Sequence, residues 1–252
     1  MESKAKVTVC IATYNGEKFL KDQLDSILKQ LTRADEVIIS DDSSTDNTIQ
    51  ILRYFAKKDN RIKLFLEQGF RDPILNFQNA LIHATGDYIY LSDQDDVWLD
   101  GKIEKINSCL KQHDLVIHDS IVTDESLNQM YPSFFKYFGS KKGILKNIIK
   151  SSYYGSCMAF RKQLLTEALP FPKTKEIGHD LWLGLVAELT GSVLFLKEPY
   201  LLYRRHLDTF TMRGMGGKKR TILQMARGRI IMCFEIVKFL FKKLLKKPGK
   251  QY

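Results

Sequence analysis

The stretch Tyr88-Ile89-Tyr90-Leu91-Ser92-Asp93-Gln94-Asp95-Asp96-Val97-Trp98 decides the fold. It opens as a short apolar run of β-formers and stops abruptly in three carboxylates. An apolar run without alternation is buried on both faces, which predicts a strand inside a parallel sheet. Ligands of open α/β sheets gather at the carboxyl ends of such strands, where Asp93, Asp95 and Asp96 fall. One Asp would suffice to cap the next helix; three repel one another unless something positive sits among them. Hard oxygen donors in that number suit Mg²⁺ or Mn²⁺, shared with substrate phosphates. The stretch reads as a metal–diphosphate site.

The preceding chain alternates strand and helix. Residues 7–13 and 36–40 are predicted strands, and 62–66 a third. Residues 17–30, 47–57 and 73–84 carry apolar side chains at helical spacing. This alternation predicts a parallel, doubly wound sheet. The second strand also ends in acids, Asp41 and Asp42, so two acid clusters reach one rim. No GxGxxG follows the first strand, which excludes the dinucleotide fingerprint, and no P-loop motif occurs.

Beyond Trp98 the pattern changes. Residues 100–112 are predicted helical and 115–118 a strand, while 124–150 are irregular, aromatic and partly helical. Residues 155–160 are predicted as a strand, followed by a helix to about 169. Gly178-His179-Asp180 opens another helix to about 189. Strands at 193–196 and 200–203 lead into Arg204-Arg205-His206.

The net charge of +10 sits in the last forty residues. Positions 213–252 hold twelve Lys and Arg against Glu235 alone, or +11, which leaves −1 for the rest. A near-neutral body argues against nucleic acid as a partner. The four cysteines, Cys10, Cys109, Cys157 and Cys233, have no metal-ligand spacing and read as core thiols of a reducing compartment. Neither a signal peptide nor an apolar run long enough to span a bilayer is expected.

Taken in order, Ala12-Thr13-Tyr14-Asn15, Ser40-Asp41-Asp42-Ser43-Ser44-Thr45-Asp46, Gly86-Asp87-Tyr88, Asp93-Gln94-Asp95, Gly178-His179-Asp180 and Arg204-Arg205-His206 resemble the family 2 glycosyltransferases with a GT-A fold. The form Ser92-Asp93-Gln94-Asp95-Asp96-Val97-Trp98 is similar to the branch that builds bacterial surface polysaccharides, such as O-antigen and capsule. The resemblance implies an α/β GT-A domain over residues 1–215. A nucleotide-sugar half, 1–98, would precede an acceptor and catalytic half, 99–215. It implies Thr13, Tyr14, Asn15 and Glu17 beside the base, with Asp41 accepting from the pyrimidine N3–H. Asp93 would hold the ribose or sugar side, Asp95 a Mn²⁺ or Mg²⁺ ion, and His206 would complete the metal shell. Asp180 matches the catalytic base, and His179 stands where the family usually has an acid. Asp96 would face metal, donor sugar or acceptor, and Arg204 or Arg205 the phosphates. Trp98 and Trp182 shape a sugar subsite or fill core, and Tyr14 stacks on the base or packs inside. The implied reaction is inverting, metal-dependent transfer of one sugar from UDP-hexose or dTDP-L-rhamnose to a lipid-linked saccharide.

Residues 221–245 read as a sided helix. Arg220, Gln224, Arg227, Glu235, Lys238, Lys242 and Lys246 share a stripe about 100° wide on a mostly apolar cylinder. Such a helix lies in a membrane interface or docks on the domain or on a second copy, and residues 216–252 are expected as a basic appendage. Lys243 and Lys247 would add attraction to anionic lipid. The expected setting is cytoplasmic, peripheral at the inner face of the membrane. Two rival functions are a sugar-1-phosphate nucleotidyltransferase and a non-catalytic membrane adaptor. The first lacks its Gly-rich basic loop; the second leaves the acids without a purpose.

Overall fold

A computed structural model describes residues 5–206 and 221–245. The first half alternates β1 (Val7–Thr13), α1 (Leu20–Leu28), β2 (Glu36–Asp41), α2 (Thr48–Lys58), β3 (Ile62–Phe65), α3 (Pro73–Ile82) and β4 (Tyr88–Ser92). The second half holds β5 (Val97–Trp98), α4 (Lys102–Leu110), β6 (Leu115–Thr123), β7 (Gln129–Tyr131), α5 (Phe134–Phe138), α6 (Ile144–Ile149), β8 (Met158–Arg161), α7 (Gln163–Ala168), α8 (His179–Thr190), β9 (Val193–Arg204) and α9 (Ile222–Leu245).

One sheet runs through both halves in the order β3-β2-β1-β4-β8-β6-β9-β5, with β7 pairing with β6. The four strands of the first half pair in parallel. Every residue of β2 is buried, as expected of a strand covered on both faces. The second half is mixed: β8 runs antiparallel between β4 and β6, while β9 pairs in parallel with β6. β5 returns antiparallel onto the end of β9, with Val97 opposite Leu202 and Trp98 opposite Leu201. The mostly parallel, helix-flanked sheet expected from the sequence is present.

Several element boundaries differ from expectation, three of them for a clear local reason. α1 begins at Leu20, because residues 16–19 form a tight turn in which Phe19 N and Leu20 N donate to Gly16 O. Residues 155–157 form a 3₁₀ turn, and β8 starts only at Met158. The two strands expected near 193–203 are one strand, β9, whose register against β6 shifts where Asp119 faces Pro199. Proline has no N–H to donate, so an irregularity is where a strand accommodates it.

Four segments meet at the buried carboxylate of Glu36, below the amino-terminal end of β1. One oxygen accepts from Thr8 Oγ1 (2.7 Å), Thr85 N (2.8 Å) and Thr85 Oγ1 (2.7 Å). The other accepts from Lys63 Nζ at 2.6 Å. Burial opposes ionisation, but hydrogen bonds from Lys63, Thr8 and Thr85 outweigh it and hold the carboxyl at about 2, below the ordinary 4.5. A folded value below the unfolded one adds stability above about pH 4.5, lost as pH falls toward 2. Urea denaturation at pH 6, 4 and 3 is expected to show Glu36→Gln less stable than wild type at pH 6. The variant should also lose less stability on acidification; equal slopes for the two proteins would refute this.

Candidate functional site

The carboxyl ends of β1, β2 and β4 form one rim, since the three strands are adjacent and parallel. The loop after β4 carries Asp93, Asp95 and Asp96, each offering an oxygen within 4.8 Å of the others. Asp93 accepts from Ser156 Oγ at 2.6 Å, and its carbonyl from Gln23 Nε2 at 2.8 Å. Asp96 Oδ1 accepts from Arg204 N at 3.0 Å, while its Oδ2 is buried with no hydrogen-bond partner among the described residues. Asp95 Oδ2 lies 2.9 Å from His206 Nε2. The pairing of β5 with the end of β9 is what brings His206 here, 111 positions along the chain.

Burial, then the charge of Asp95, pushes the Asp93 carboxyl up to about 7, and Asp180 adds to the rise. The same two causes raise Asp96 well above the ordinary range. Desolvated carboxylates this close resist ionisation until a cation neutralises them. The donor set is all hard oxygen with one imidazole beside it, and it fits Mg²⁺ or Mn²⁺. The orphaned oxygen of Asp96 supports that fit.

Asp180 lies in the first turn of α8, whose capping residue is Gly178. Its Oδ1 accepts from Leu181 N at 2.7 Å. Its charge contributes to raising Asp93 and Tyr154. A methyl group at Gly155 would lie 3.0 Å from His179 Nε2 and 4.0 Å from Asp180 Cβ, so the 3₁₀ turn closes directly on this helix end. His179 is stacked on Phe77 with centroids 4.1 Å apart, and burial lowers its pKa, which leaves a neutral ring.

The expected base contacts divide. Tyr14 is 56% exposed, which excludes the core reading and leaves its ring open at the rim. Asn15, at φ 48°, accepts from Thr45 N on its Oδ1 and donates its own N–H to Ser44 Oγ, bridging the loops after β1 and β2. Glu17 instead accepts from Asn47 N (2.8 Å) and Nδ2 (2.6 Å), holding the start of α2. Thr13 and Asp41 are engaged with each other. Thr13 Oγ1 donates to Asp41 at 2.7 Å, and Ser44 N and Oγ supply further donors. The Asp41 carboxylate is buried beneath the loop that carries Ser44.

Three other expected contacts are corrected by burial. Trp98, 1% exposed, is core: Tyr90 packs against it, and the Lys102 ammonium sits 3.9 Å above its ring. Trp182 is buried too, with its indole N–H donating to Ala168 O. The Arg204 guanidinium donates to Asp95 O, Glu125 O and Asp22 Oδ2, so it braces the acid loop rather than reaching for phosphates. Arg205 continues the chain beside β6 through its N–H to Thr123 O.

Sequence reading missed two residues. Ser156 gives no local signal, because only folding lays the 3₁₀ turn against Asp93. Gln94, between the motif's acids, clamps the backbone of Tyr14 from both sides: its Oε1 accepts from Tyr14 N and its Nε2 donates to Tyr14 O, each at 2.9 Å. A Cβ at Gly16 would lie 2.4 Å from Gln94 Oε1, so the clamp requires glycine there. Gln94 thus ties the rim loop of Tyr14 to the acid loop.

Comparison with known proteins agrees with this geometry. Residues 8–169 match the model of Glycosyl transferase family 2. The putative glycosyltransferase EpsE of Bacillus subtilis is 38% identical over 114 residues, covering 45% of this chain and 41% of that protein. A Campylobacter jejuni GalNAc(5)-diNAcBac-PP-undecaprenol beta-1,3-glucosyltransferase is 34% identical over 209 residues, covering 79% and 64%. The chain therefore spans less than two thirds of both relatives. Staphylococcus aureus TarS 1–349, solved with UDP-GlcNAc, superimposes with a TM-score of 0.65 at 22% identity over 80% of this chain and 59% of that one. That likeness concerns the fold. With its parallel half, its acid loop and the match over residues 8–169, the chain belongs to glycosyltransferase family 2 and has a GT-A-like fold.

Proposed function

We propose that this protein transfers a single sugar from a nucleotide donor, a UDP-hexose or dTDP-L-rhamnose, to a lipid-linked saccharide, with inversion at the anomeric carbon. The observation that carries the reading is the acid loop, Asp93, Asp95 and Asp96, tied through Ser156 to the 3₁₀ turn that closes on the helix end bearing Asp180. The undecaprenyl-linked acceptor in the name of the Campylobacter jejuni relative supports the acceptor class. Residues 1–98 supply the donor side and 99–215 the acceptor side. The work would take place at the cytoplasmic face of the membrane that holds the acceptor. Among the described residues no helix is long and apolar enough to cross a membrane.

Asp180 takes the proton of the acceptor hydroxyl as that oxygen attacks the anomeric carbon and the nucleoside diphosphate departs from the opposite face. Its place in the first turn of α8, with Oδ1 accepting from Leu181 N, fixes the direction of the carboxylate. Tyr14 offers its ring to the base, and Asn15 holds the loop that carries it. Asp93, Asp95 and Asp96, with His206, would hold a Mn²⁺ or Mg²⁺ ion. When bound, that ion supplies Lewis-acid neutralisation of the leaving diphosphate. Arg204 keeps the acid loop in place, and the Gln94 clamp fixes its distance from the base side.

Calorimetric titration of UDP and dTDP into the purified protein is expected to show binding of one nucleotide with Mn²⁺ and its loss with EDTA. Absence of binding under both conditions would overturn the reading. Asp180→Asn should lower kcat by about 10²–10⁴-fold and leave nucleotide affinity unchanged; a fully active variant removes Asp180 as the base. Gln94→Ala should raise the donor KM by about tenfold, equivalent to about 1.4 kcal/mol, with little change in kcat. An unchanged donor KM would show that the clamp does not position the donor.

A further inference from the structure

The carboxyl-terminal helix has two apolar faces. Gly228, Met232, Ile236 and Phe239 of α9 are buried, and Phe239 meets Trp182 edge-on at 5.8 Å. Leu223, Ile230, Phe234, Val237, Phe241 and Leu244 are 62–79% exposed. At about 100° per residue, these six fall in one sector on the opposite side of the axis. Exposed Arg227, Lys238 and Lys242 flank that sector. The sidedness expected from sequence is therefore divided: the helix docks with one face and presents another. The expected stripe members Arg220 and Lys246, like Lys247, lie outside the described residues.

The outer face of α9 is not alone. α6 packs beside α9, and Arg229 of α9 donates to Ile149 O at 3.0 Å. On α6, Leu145 and Ile149, one turn apart, are 79% and 67% exposed. Lys142 and Lys146 form the adjoining exposed stripe. From 126 to 166 the sequence contains no Asp or Glu, while Lys136, Lys141, Lys142, Lys146 and Lys150 all fall there. Two neighbouring helices thus repeat one pattern, apolar side chains outward with lysines alongside.

We infer that α6 and α9 together form one surface that seats this protein on an anionic phospholipid bilayer, with α6 as much a part of it as α9. Exposed apolar area of this kind marks an interaction surface, and the charge around it selects a negatively charged one. A water-facing role would leave the outer phenylalanines and leucines of α9 unpaid for, and an acidic protein partner would not explain their helical spacing on both elements. The surface also has a functional place. α9 rests on Trp182, two residues beyond Asp180, and α6 leads through Tyr154 to Ser156, which holds Asp93. Seating the two helices in the headgroup layer fixes the acceptor side of the site at a set height above the lipid. In that last point the inference rests on the proposed lipid-linked acceptor; the surface itself does not.

The test is co-sedimentation of the full chain with vesicles of phosphatidylglycerol and phosphatidylcholine, and with pure phosphatidylcholine. Binding to the anionic vesicles, and much weaker binding to the neutral ones, is expected. Phe234→Glu/Phe241→Glu on α9, Leu145→Glu/Ile149→Glu on α6 and Lys142→Glu/Lys146→Glu should each reduce the bound fraction on the order of tenfold or more. All six side chains are exposed, so thermal melts should match wild type and exclude misfolding. Failure of the wild type to bind anionic vesicles, or an α6 pair that binds like wild type, would overturn the inference. A dimer by light scattering that the α9 pair dissolves, without vesicle binding, would assign the face to a second copy instead. Metal-dependent nucleotide binding measured on the same variants separates this outcome from a failure of the enzymatic reading: it should persist in all of them.

Discussion

Placing several carboxylates at the end of a buried strand is the constraint on which the rest depends. Asp93 and Asp96 lose their hydration beside Asp95, and both carboxyls are driven upward by that burial. The surrounding chain supplies donors one at a time: Ser156 to Asp93, the Arg204 N–H to Asp96, the Arg204 side chain to the Asp95 carbonyl. These contacts hold the loop without neutralising it. An arginine side chain on the carboxylates themselves would have cancelled the negative field that draws a cation. Arg204 braces the backbone instead, and one oxygen of Asp96 stays unpaired.

The brace exists because β5, only two residues long, pairs with β9. This small antiparallel contact closes the second half of the sheet over the acid loop. It carries Arg204 and His206 to the rim and seats Phe19 between them, with the Arg204 guanidinium 4.5 Å above the Phe19 ring. The rim of the parallel half is built differently. There the loops after three parallel strands are fastened to each other, Asn15 to the loop after β2 and Gln94 to Tyr14. The rim is therefore a set of loops cross-tied by short side chains, each loop standing on a rigid strand. Such a support suits a site that has to hold several groups at fixed separations.

The second half of the chain is linked to the outer surface through packing. Asp119, buried at the irregularity of β6, accepts from Phe135 N and Ser133 Oγ and so anchors the aromatic segment. Phe134 in turn packs edge-on against Tyr154. Behind α8 the Trp182 ring contacts α9. The elements nearest Asp180 are thus packed against those that carry the exposed apolar helices.

What the sequence determined by itself was the parallel half, the acid rim and the position of Asp180. Continuous apolar runs such as 7–13 and 36–40 can only be strands covered on both faces, and the acids that end them must lie at the carboxyl rim. The order of the motifs pointed to the family, and the match over residues 8–169 agrees. The tertiary structure decided which polar groups face the crevice and which face each other. Thr13 and Asp41 satisfy one another across neighbouring strands, a pairing set by register and invisible in composition. Trp98 and Trp182 became core, since an aromatic beside a motif carries no sign of which way its ring turns. His206 reached Asp95 only through the β5–β9 pairing, and Ser156 reached Asp93 only through the 3₁₀ turn. Local periodicity specifies an element and its buried face; contacts between residues far apart in the chain depend on how the elements are brought together, which no local pattern encodes.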